Sequence, residues 1–159
     1  MMNWFKFIAV FLLALSLIIT VIVFYNANEP FSIARQQAEA DALRSGALES
    51  IDHTDFYNGA VSMVTVFGKD SEGNEKAVFV EEKTGAILNE VAMKDGIDAQ
   101  TAIETVKVEL SVEKILHVTL GLEEGHPVWE VAFKSENGKL NYVYVFFENG
   151  KWWKRILNL

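Results

Sequence analysis

The chain has 159 residues, a length that suits one domain or two small ones, and it carries no cysteine. That excludes disulfides, thiolate metal sites, a cysteine nucleophile and a lipid-modified N-terminal cysteine. Lys and Arg number 14 against 22 Asp and Glu, and only Lys6 precedes or lies within the first apolar run. The part that follows therefore holds 13 basic and 22 acidic residues, a net charge of −9. A surface that acidic repels phosphates, which excludes nucleic acid as a partner and argues against broad adhesion to anionic lipid.

Residues 7–25 read FIAVFLLALSLIITVIVFY and hold no charge. A bilayer core of about 30 Å needs about 20 apolar helical residues, and a helix satisfies its own backbone inside lipid. The run predicts a transmembrane helix, with Trp4 and Phe5 at one interface and Tyr25 at the other. Residues 1–29 are assigned to this anchor. Lys6 and the terminal amine before the run, with Glu29 after it, place the N-terminus inside and the C-terminal part outside the cell. A cleaved signal peptide would have an apolar core of about 7–15 residues and a small-residue site just beyond it. This run is longer, and Tyr25 with Ala27 make a poor site, so the anchor is expected to stay.

Beyond Pro30 the sequence repeats itself at an offset of 65 positions. Gly73 falls on Gly138 and Gly85 on Gly150; Val66, Val78 and Val80 fall on Val131, Val143 and Val145. Upstream, Ala34 falls on Ala99 and Glu39 on Glu104, with no gap. Each copy opens with a helical pattern. Ala34, Ala38 and Ala42 make a narrow stripe over about 32–44, which suits a stalk as well as a core helix. In the second copy Ala99, Ala102, Ile103, Val106 and Leu110 follow helical spacing, and Asp98 is placed to cap them.

Strands follow at about 48–57, 60–68, 76–82 and 86–91, then at 114–122, 128–134, 140–147 and 152–157. Gly73, Gly85, Gly138 and Asn149-Gly150 punctuate the hairpins. A helix followed by an antiparallel meander buries its stripe across one sheet face. The fold class is α+β: an N-terminal transmembrane helix, then two tandem helix-plus-meander units over 30–93 and 94–159.

Particular residues carry a family resemblance. They are Asp95-Gly96-Ile97, Pro127-Val128-Trp129-Glu130-Val131, Leu140-Asn141-Tyr142-Val143-Tyr144-Val145 and Asn149-Gly150-Lys151. With the anchor and the two units, they resemble the YpmB/TseB-like cell wall elongation regulators, whose units are similar to PepSY and cystatin-like domains. The resemblance implies a Gram-positive envelope protein that supports peptidoglycan synthesis during elongation. The partner it implies is a class B penicillin-binding protein in the same membrane. It supplies no catalytic residues.

The polar residues give the same answer. His53, His117 and His126 form no metal-ligand spacing; Asp52 and His53, being adjacent in a strand, would point to opposite faces. No G-x-S-x-G elbow surrounds Ser62, Ser111 or Ser135. The pairs Glu81-Glu82 and Glu123-Glu124 sit at strand ends, where acidic residues keep turns solvated. We expect no catalytic residue, no metal, no cofactor and no enzymatic activity.

The third strands point instead to a surface. Val78, Val80, Val143 and Val145 should lie under their helices. The opposite face reads Ala77, Phe79, Glu81 in one copy and Tyr142, Tyr144, Phe146 in the other. A solvated face should alternate with polar residues, so this aromatic face needs a cover: the first unit, the neighbouring aromatic strand or a partner. Trp152 and Trp153 add aromatic surface beside Lys151, Lys154 and Arg155. Tyr142, Tyr144, Phe146, Trp152 and Trp153 are the candidate partner surface, since Tyr and Trp dominate binding hot spots. The function expected is a membrane-tethered binding protein. The alternative is a PepSY- or cystatin-like peptidase inhibitor or regulatory pro-domain, though no loop stands out as one that would enter a protease cleft. A small-molecule site at the junction of the units is a third possibility.

Overall fold

The computed structural model describes residues 2–159. A single helix, α1 (Met2–Arg44), includes the apolar run and contains Pro30. Proline cannot donate an i→i−4 hydrogen bond, but the Ala, Arg, Gln and Glu residues after it are good helix formers. The helix expected to begin near residue 32 is therefore the last part of α1. The chain divides into two compact units, one up to Gln36 and one from Gln37 to Leu159. The apolar segment of the first is long and apolar enough to cross a membrane.

The second unit holds two antiparallel four-stranded sheets. The first is β1 (Ser50–Asn58), β2 (Ser62–Lys69), β3 (Glu75–Glu81) and β4 (Ile87–Ala92), in that order. After a 3-10 turn at Met93–Asp95 come α2 (Ala99–Glu109), β5 (Val112–Glu123), β6 (His126–Ser135), β7 (Leu140–Phe146) and β8 (Trp152–Ile156). The last four form the second sheet. Asp98 caps α2 by accepting from the Thr101 backbone N–H at 2.7 Å, and this bond holds its carboxyl below the usual range.

The repeat is visible in the ladders. Val66 pairs with Val78 and Val131 with Val143; Val64 pairs with Val80 and Trp129 with Val145. Both copies bulge at the same place in the next ladder, between Phe79 and Val80 and between Tyr144 and Val145. Gly73, Gly85, Gly138 and Gly150 all have positive φ, where a side chain would strain the turn.

The 65-residue offset stops short of the helix and first strand, however. Tyr57 pairs with Met63, but Gly121 pairs with Val128, so the first strands match at 64. The buried helix residues Ala38 and Ala42 likewise match Ala102 and Val106 at 64. The second copy has one extra residue in its first hairpin, and the ungapped register breaks there.

Each sheet buries one face under its own helix. Ala38, Ala42 and Leu48 pack on Val64, Val66, Val78 and Val80. In the second copy Ala102 and Val106 lie in one cluster with Trp129, Val131, Phe133, Val143 and Val145, and the Trp129 indole donates to the Ile97 carbonyl at 2.8 Å. The other faces meet each other. Tyr57, Met63, Phe67, Ala77 and Phe79 of the first sheet join the same buried cluster as the second.

The centre of that junction is Tyr57. Its ring lies against Gly121, where a Cβ would overlap the ring atoms, and against Gly59, where a Cβ would overlap both the ring and Glu123. Its hydroxyl donates to Glu123 Oε1 at 2.7 Å. Beside it, Thr65 Oγ1 donates to the Leu120 carbonyl at 2.6 Å in a fully buried setting. Gly121→Ala should therefore force the ring out and cost about 1–3 kcal/mol, the usual range for an overpacked core. In urea unfolding of residues 37–159, the Tyr57→Ala/Gly121→Ala double variant should cost less than the two single changes together.

Candidate binding groove

The junction relates equivalent positions of the two copies. Tyr57 touches Gly121, its own counterpart, and Gly59 faces Glu123, its own counterpart. Contact of a residue with its equivalent is the mark of a two-fold arrangement, yet the two sides differ. Thr65 closes against the Leu120 carbonyl. The equivalent pair, Glu130 and Phe56, instead lines a groove of about 520 Å³.

Its floor is the face of the second sheet that turns away from α2, with His117, Thr119, Glu130, Tyr142, Tyr144 and Ile156. Asp55, Phe56 and Asn58 of β1 form one wall, and Leu159 contributes at the rim. On the closed side the counterparts of Tyr142 and Tyr144 are Ala77 and Phe79, both fully buried.

The electrostatics of the floor centre on Glu130, whose side chain is 12% exposed and lies 2.8 Å from His117 Nε2. The first-copy equivalent, His53, stacks on Phe67 with ring centres 4.4 Å apart. Phe67 corresponds to Ala132, so His117 has no ring at that position; it meets Tyr142 only at a tilt, 6.2 Å between ring centres, and bonds Glu130. Burial, and next the Glu130 carboxylate, raise the Tyr144 hydroxyl above the usual tyrosine pKa. Burial, and next its bond to Glu123, raise Tyr57 in the same way. Lys154 stands with its ammonium 5.7 Å from the centre of the Tyr144 ring.

The five aromatic residues expected to share a surface fall in three places. Tyr142 and Tyr144 line the groove, the first half-buried and the second 8% exposed. Phe146 and Trp153 stack edge-to-face at 4.9 Å, with His126 against both rings. Trp152 lies on the other side of the sheet. Its indole donates to Glu109 of α2 at 2.6 Å, and Arg155 packs over its ring. The first sheet covers the aromatic face only in part. Sequence reasoning missed Glu130, His117, Asp55 and Phe56, and one signal for Glu130 was available: it is a carboxylate at the position equivalent to Thr65. Among the described residues, no three His, Asp or Glu side chains come together as a metal site would need.

Fold and groove define the class: a duplicated helix-plus-meander protein whose two copies close on one side of their junction and stay open on the other. A family model described as the cell wall elongation regulator TseB-like domain matches residues 37–81, which run from the end of α1 through β3. The chain is 28% identical over 141 residues to the "Probable cell wall elongation regulator TseB" of Bacillus subtilis (strain 168), covering 88% of this chain and 87% of that one. The solved structure titled "YpmB protein from Bacillus subtilis" matches with a TM-score of 0.69 at 30% identity, covering 76% of this chain and 94% of that one. The chain belongs to the TseB/YpmB family.

The raised tyrosines set an alkaline limit. Free tyrosine ionises near pH 10. Above that, the unfolded chain releases protons that folded Tyr57 and Tyr144 keep, so stability falls as pH rises. Absorbance at 295 nm should show these two rings ionising only as the protein unfolds. Tyr57→Phe should make the loss of stability above pH 10 less steep.

Proposed function

We propose that this protein is a non-catalytic, single-pass membrane regulator that supports cell wall elongation by binding another envelope protein. Residues 1–29 anchor it with the N-terminus inside, and two PepSY/cystatin-like units over 30–93 and 94–159 work outside the cell. The partner in this reading is a class B penicillin-binding protein. The observation that carries the proposal is the match to the probable cell wall elongation regulator, which extends over 88% of the chain. That is more than the folded part from Gln37 alone makes up, so the likeness reaches into the apolar helix. Tethering both proteins in one membrane raises their effective concentration, and a weak interface then suffices.

Two measurements test it. Protease added to intact spheroplasts should digest the part after Gln37 and spare the N-terminus; protection of the folded part would reverse the orientation. Crosslinking in intact membranes, followed by fluorescent penicillin labelling, should give a labelled adduct of higher mass. Capture of unrelated proteins alone would remove the penicillin-binding protein from the proposal.

A further inference from the structure

We propose that the groove beneath β1 receives a cationic side chain, Arg or Lys, from an extended segment of the partner protein, with Glu130 as its counter-ion. The inference rests on the reading that the folded part binds a protein.

Glu130 is a carboxylate set in a sheet face whose equivalent position holds a fully buried threonine. Among the described residues its only ion-pair partner is the His117 imidazole. A guanidinium is permanently charged and bonds a carboxylate through two parallel N–H groups, so it displaces the imidazole. Asp55, on the facing wall, makes no ion pair among the described residues and adds negative charge.

Tyr144 stands directly across the ladder from Glu130 and Tyr142 lines the same groove, and the Tyr144 ring already meets an ammonium, that of Lys154. Aromatic faces next to a carboxylate favour a cation over a neutral group. Ile156 and Leu159 supply apolar walls that suit the methylene stem of a long basic side chain and an apolar neighbour. β1 is an edge strand, so an extended segment can run alongside the groove. This combination favours a peptide over a small free amine.

The test uses the full chain in nonionic detergent micelles, with tyrosine and histidine rings isotope-labelled for NMR. The probes are acetyl-Leu-Arg-Leu-amide and the same peptide with citrulline, which keeps the shape and removes the charge. The arginine peptide should shift Tyr142, Tyr144 and His117 and bind at least tenfold more tightly than the citrulline peptide. Glu130→Gln should abolish that preference. His117→Ala, at an exposed position, should tighten arginine binding about threefold by freeing the carboxylate. Equal binding of the two peptides, an arginine preference that survives Glu130→Gln, or weaker binding in His117→Ala would each overturn the proposal. A penicillin-binding protein adduct that forms equally well in Glu130→Gln would leave the regulator reading standing and remove this one.

Discussion

The folded part depends on one wedge. Tyr57 is held between two glycines, Gly59 and Gly121, with its hydroxyl on Glu123. A helix laid over a four-stranded meander buries only one face, and a unit of about 60 residues is marginal by itself. The second face of each sheet must be covered, and here each covers much of the other. Because the ring fills space that glycine leaves, a side chain at 121 displaces the ring, and one at 59 meets both the ring and the Glu123 carboxylate.

That closure is unequal. On one side a short hydroxyl, Thr65, reaches a backbone carbonyl and seals the junction. On the other the equivalent residue is a carboxylate that cannot donate, and it holds an imidazole at the floor of a groove. The same backbone therefore yields a sealed core on one side and a polar surface on the other. What separates them is side-chain chemistry at a few equivalent positions: Thr65 and Glu130, Phe67 and Ala132, Ala77 and Tyr142.

Much of the architecture was legible in the residues because its signals are local. Turn glycines, the Asp98 cap and valine alternation placed all eight strands to within about two residues of their ends. The 65-residue offset foretold the shared register of the second and third strands. The slip to 64 was hidden, since alanines in α1 match almost equally well one position along. The groove was hidden for a different reason. It is assembled from β1 of one copy and four strands of the other, and no periodicity within a copy reports how two sheet faces meet. The division of the tryptophans also escaped, because both were read as one surface although successive strand residues turn to opposite sides.

Contact between equivalent positions is the geometry in which two identical subunits associate. Fused in one chain, the association no longer depends on protein concentration. It also frees each half from the other. In a homodimer every substitution appears twice, so a carboxylate suited to an open side would also be buried on the sealed side. Duplication within one gene lifts that restriction, and one half of this protein can specialise in recognition while the other remains scaffold.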